Sequence, residues 1–191
     1  SPGVTTLAKV KHEFVLNTPI AVIAEQIRFN LARGLPELSA NIQARGWRKQ
    51  TLSLCGSAPS LMQNLGKLSG RVMAINAAIP ALHQAGAPVD YAMIWDATPE
   101  MARYACTIPG CNWLIASRCN PHLIDRLLEL GQTVTLWHAA STEPEIVPLL
   151  MDHLQVFGGG QGVTRGVFLA GALGYRDIRV FGADSSYGYE T

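Results

Sequence analysis

Acidic side chains are scarce in this sequence, so those that end apolar runs stand out. Asp96 closes the run at 91–95, and Asp184 follows the run at 178–181. A carboxylate at the end of a hydrophobic strand can hold Mg2+ or a ribose hydroxyl, and it serves equally well as the cap of a following helix, here one beginning at Pro99. Two such carboxylates facing each other across a cleft would suit a Mg2+-bound polyphosphate, provided that backbone donors lie nearby. Two small-residue turns offer them. Gly56, Ser57, Ala58, Pro59 and Ser60 follow the run at 51–55, where a tight turn and the N–H groups of the next helix can hold an anion. This is neither a Walker A loop nor GxGxxG, and an ordinary strand-to-helix turn explains the residues equally well. Gly158, Gly159 and Gly160 form a second anion nest, with Thr164 near the start of the next helix and Ser185 and Ser186 beside Asp184. A loop that needs positive φ would explain those glycines alone.

Asn76 follows the run at 71–75. It either caps the next helix or reads a base or sugar with its paired donor and acceptor. His138 follows the run at 133–137, on the rim, where it would act as a base or touch a phosphate or, the reading preferred, serve as a satisfied structural histidine. The histidines at 12, 83, 122, 138 and 153 form no metal-ligand spacing. Cys55, Cys106, Cys111 and Cys119 lack CxxC spacing and sit in or beside apolar segments, which reads as buried thiols; zinc across the last three is the lesser alternative.

The elements that must position these groups follow from the pattern. Short runs rich in aliphatic and aromatic residues at 51–55, 71–75, 91–95, 113–116, 133–137 and 178–181 predict strands. Between them, helical composition occupies 60–68, 79–85, 99–106, 121–130, 145–154 and 163–173. This alternation predicts an α/β, Rossmann-like, doubly wound and mostly parallel sheet over 50–191. An N-terminal helical lead-in precedes it over 1–49, with helices at 19–33, capped by Thr18, and 36–45.

The 191 residues are 48% apolar and only 15% charged, against about 25% in an average protein. That excludes a disordered chain and requires extensive burial. A net charge of +1 without a basic stripe excludes non-specific nucleic-acid binding. No apolar run approaches the ~18 residues of a membrane span and no signal-peptide pattern opens the chain, so a cytoplasmic protein is expected. The last strand lacks a covering helix, so the domain is expected to continue beyond Thr191. The lead-in and that edge are expected to carry a homo-oligomer contact or to miss their natural cover.

CGSAPSL at 55–61, Asn76, DYAMIWDATPE at 90–100 and GGGQGVTRGVFLAGALGYRDIRVFGADSSY at 158–187 resemble, in this order, the 6-hydroxymethylpterin diphosphokinase-like (MptE-like) family. IRFNLARGLPEL at 27–38 resembles the segment preceding that domain in bacterial and phage members. The resemblance implies diphosphate transfer from ATP to a small hydroxyl acceptor, with Mg2+ near Asp96 and Asp184 and phosphates near Gly56 to Ser60. Ala58 departs from the family turn, where glycine is usual. The turn and the ALGY ending are also similar to bacterial sialyltransferases and flagellin-modifying glycosyltransferase-like proteins, which implies a nucleotide sugar as the alternative donor; that transfer needs a base, for which His138 is the candidate placed near the rim. A ligand-binding or assembly module without catalysis is the third reading.

Overall fold

The computed structural model describes residues 18–39, 49–158 and 162–183. The apolar runs form seven parallel strands: β1 Thr51–Cys55, β2 Arg71–Ile75, β3 Tyr91–Ile94, β4 Asn112–Ala116, β5 Thr133–Ala139, β6 Gln155–Val156 and β7 Asp177–Phe181. Their spatial order is β6-β5-β4-β3-β2-β1-β7. The central strands are buried along nearly their whole length, as a sheet covered on both faces requires. The fold is therefore the expected α/β, Rossmann-like parallel sheet. β6 has only two residues, too few to leave a periodic signal.

The helices are α1 Ile20–Leu31, α2 Ser60–Gln63, α3 Ala78–Gln84, α4 Pro121–Glu129, α5 Val147–Leu150 and α6 Gly162–Ala172, with 3-10 turns at Leu65–Lys67 and Pro99–Tyr104. The chain steps from β1 outward to β6 in one direction and then returns to β7 beside β1. Right-handed crossovers place the connections after β1 to β5 on one face and α6 on the other. α6 lies against β1 and β2: a Cβ on Gly166 would come within 2.8 Å of Ile75 Cδ1 and 2.9 Å of Leu54 Cδ1. The chain thus leaves β5 toward one face and β6 toward the other. Such a divergence opens a crevice at the carboxyl ends, where ligands bind in open α/β sheets.

The structure departs from the expected elements in five places. The helix expected over 60–68 is split into α2 and the 3-10 turn at Leu65–Lys67. The helix expected at 36–45 begins instead as extended chain: Leu38 N–H donates to Leu136 O at 2.8 Å, and Leu136 N–H donates to Pro36 O at 2.8 Å. Short β6 pairs only with His138 and Ala139, so the rest of that edge of β5 is open to this segment. Residues 40–48 lie outside the described residues. Over 99–106 the chain makes a 3-10 helix, and over 145–154 only Val147–Leu150 is helical. Thr18 does not cap α1, whose N-cap is Pro19 without a side-chain bond.

A candidate anion site at the strand ends

The carboxyl ends of β3 to β6, together with α1, enclose a cleft of about 850 Å3. Trp95 and Asp96 follow β3, Ser117 and Arg118 follow β4, Phe157 follows β6, and Arg165 reaches in from α6. Ile20, Ile23 and Ile27 of α1 make its apolar wall. Two buried amides fix that helix on the strand ends. Gln26 Nε2 donates to Ala97 O at 3.2 Å and Arg118 O at 2.7 Å, while Asn30 Nδ2 donates to Ser117 O at 2.9 Å and Cys119 O at 2.8 Å. These carbonyls lie beyond the sheet ladder and need partners.

The cleft's distinctive feature is a stack. The guanidinium carbons of Arg118 and Arg165 each lie 3.8 Å from the centre of the Trp95 ring. Two guanidiniums cannot share one face at that distance, so they flank the indole on opposite sides. Cation–π attraction, about 2 kcal/mol when desolvated, holds each in place. Yet the Nε atoms of both arginines and Nε1 of Trp95 are buried without a hydrogen-bond partner. Among the described residues no carboxylate forms an ion pair with either guanidinium. Burial pulls both arginines below their ordinary pKa, and the charge of Arg165 lowers Arg118 further, partly offset by Cys119 and Asp96. A buried unpartnered donor costs about 1–3 kcal/mol. Among the described residues these three donors have no acceptor, and paired guanidiniums favour the oxygens of a phosphate or carboxylate.

Asp96 lines this cleft and its Oδ1 accepts from Thr98 N–H at 2.8 Å; it does not cap the turn that follows, whose N-cap is Thr98 without a side-chain bond. Asp184, Gly159, Gly160, Ser185 and Ser186 lie outside the described residues. Asp96 and the exposed Glu143 are the carboxylates lining the cleft among the described residues, with two guanidiniums beside them. Asp184, the second carboxylate expected to hold Mg2+, is outside the described residues, so of the expected pair only Asp96 is placed in the cleft.

The first small-residue turn is committed to holding the fold together. Gly56 N–H donates to Phe181 O at 2.9 Å, Ala58 N–H to Gly182 O at 3.0 Å and Leu61 N–H to Ala58 O at 3.0 Å. Pro59 has no N–H, α2 has only four residues, and Ser57 is exposed. The expected phosphate cradle over Gly56, Ser57, Ala58, Pro59 and Ser60 is thereby largely spent on the β7 end. Glycine is needed at 56 because a Cβ there would meet Gly182 O at 2.6 Å and Val163 at 2.9 Å. Ala58 is not among the positive-φ residues, so its methyl group carries no backbone penalty.

Asn76 is not the N-cap of α3; that position is Ala77. Asn76 adopts φ 51 and keeps a buried, unpartnered Oδ1 outside the main cleft. Thr164 is exposed on α6. A side chain at Gly158 would press on the Arg165 stem at 3.3 Å, so this glycine makes room for the stack. His138, expected on the rim, is 1% exposed and lies away from the cleft, with Nδ1 2.9 Å from Ser117 Oγ and Nε2 2.5 Å from Glu37 Oε1. The reason is strand alternation: Ala139 faces the cleft and its neighbour faces away. Cys106, Cys111 and Cys119 form no metal cluster among the described residues. Sequence reasoning missed Trp95 and Arg118 as binding groups. Arg165, the single charge on α6, was the available signal.

No protein-family model matches the chain, and no curated protein does. Among solved structures, the chain is similar to the MAf glycosyltransferase from Magnetospirillum magneticum AMB-1, with a TM-score of 0.62 and 16% identity over 78% of this chain. The match spans 24% of that protein's length, about a quarter, and at this identity it shows a shared fold. Among the described residues no helix is long and apolar enough to cross a membrane.

Proposed function

We propose that this domain binds a nucleotide sugar in the strand-end cleft and serves glycosyl transfer to a hydroxyl acceptor. The observation that carries the reading is the Arg118–Trp95–Arg165 stack, whose buried donors lack acceptors. The shared fold with a glycosyltransferase supports it at the level of architecture alone. Both guanidiniums would contact the donor's phosphates. Both faces of Trp95 are covered, so Phe157, 72% exposed at the rim, is the aromatic surface left for a base or sugar.

In the reaction, the acceptor oxygen bonds to the anomeric carbon as that carbon's bond to the phosphate oxygen breaks. The nucleoside phosphate leaves with the electron pair, and the guanidiniums offset its charge. The acceptor's proton goes to Asp96, whose Oδ1 is fixed by Thr98 N–H and whose other oxygen serves as base.

The test is calorimetric titration with a panel of nucleotide sugars, with ATP and Mg2+ as a separate arm. One class of nucleotide sugar is expected to bind, and Arg118→Ala or Arg165→Ala should weaken it about tenfold or more, 1.4 kcal/mol. Asp96→Asn should leave binding intact and abolish turnover. An ATP response without a nucleotide-sugar response would return the assignment to diphosphate transfer. Silence in both arms would leave a fold-keeping module without this activity.

A further inference from the structure

We propose that Glu37, His138 and His153 form a binding site for a borderline divalent metal ion, zinc by preference. The ligating atoms of the three residues lie within 4.8 Å of one another, and no other such group occurs among the described residues. Both imidazoles converge on one carboxylate oxygen: His138 Nε2 is 2.5 Å and His153 Nδ1 3.0 Å from Glu37 Oε1. Protons now bridge these contacts. A cation that replaces them, with the ligands moved slightly apart, has two nitrogens and one oxygen, the donor set that suits zinc over the all-oxygen preference of magnesium or calcium.

The elements around the cluster fix it in three ways. His138 stands near the end of β5, and its second nitrogen meets Ser117 Oγ at 2.9 Å, the outer-sphere contact that orients a ligating imidazole. Glu37 is held beside the same strand by the bonds that flank it, from Leu38 N–H to Leu136 O and from Leu136 N–H to Pro36 O. His153 lies on the turn before β6, with its ring 4.7 Å from that of His138. It is part-exposed, so the third ligand can shift outward to admit an ion. Asp152 lines the same small cavity of about 230 Å3 and leaves a fourth position open to its carboxylate or to water. The ion would clip the N-terminal segment to the sheet edge, on the side of Ser117 away from the arginine stack. The site is independent of what the main cleft binds.

The chain stripped with a chelator and titrated with zinc chloride should bind one ion, raise its melting temperature and ignore magnesium. Glu37→Gln and His153→Ala, both at part-exposed positions where folding should survive, should each weaken zinc about tenfold or more. The cobalt(II) form of the unmodified chain should lack a thiolate charge-transfer band. No saturable zinc binding, a smaller loss in either variant, or a cobalt spectrum with that band overturns the proposal.

Discussion

At the scale of single residues, the cleft is defined by donors that have no acceptor among the described residues. Nε of Arg118, Nε of Arg165 and Nε1 of Trp95 share one stack, and the stack itself supplies attraction without satisfying those hydrogens. Asn76 is a different case, because its strain lies in the backbone. Its φ of 51 belongs to the left-handed region, which asparagine tolerates and alanine resists by about 1–2 kcal/mol. Asn76→Ala should therefore lose about 1 kcal/mol in urea denaturation, whereas Asn76→Gly should stay within about 0.5 kcal/mol of the parent. Equal losses in the two variants would show that the side chain, not the backbone, decides stability there.

At the scale of elements, α1 acts as part of the strand-end rim instead of a separate lead-in. Its spaced apolar residues Ile23, Ala24 and Ile27 are buried, as their periodicity predicts. The sequence does not reveal that Gln26 and Asn30 are buried on the same helix and reach four carbonyls across more than seventy residues of chain. Asn30 is fully buried, so Asn30→Ala should cost about 2 kcal/mol by leaving the Ser117 and Cys119 carbonyls short of a partner. Because Ser117 and Arg118 are adjacent, the same change should also weaken nucleotide-sugar binding. Undiminished stability in a urea titration would mean that water replaces the amide without loss.

At the scale of the whole molecule, the low charge is explained by a sheet covered on both sides, and the same burial governs the thiols. Cys55 and Cys111 are pushed up to about 12 from 9.0 by desolvation, and burial pushes Cys119 and Tyr175 up as well. The folded protein holds these protons more tightly than the unfolded chain does. Their stabilisation is complete below pH 9 and is lost as pH rises toward 12, by about 1.4 kcal/mol per thiol per pH unit. Urea midpoints should fall steeply between pH 9 and 11, and Cys111→Ala should flatten that slope. A midpoint independent of pH over this range would show that the thiols ionise without unfolding.

The sequence by itself determined the class of fold, since strand-length apolar runs alternating with helical segments leave a parallel sheet as the economical way to bury them. It also placed Asp96 at a strand end, because that position follows from where an apolar run stops. The tertiary structure decided which strand-end groups meet. It turned His138 away from the cleft through the two-residue period of β5, and it spent the N–H groups of Gly56 and Ala58 on the β7 end. It also stacked Arg165 on Trp95, residues seventy positions apart. It brought Glu37, His138 and His153 together although their spacing along the chain carries no ligand pattern. The physical reason is the same in each case. Local pattern sets which face of an element is buried, whereas the partners of a polar group depend on crossovers that join distant segments, and those leave no periodic trace in the chain.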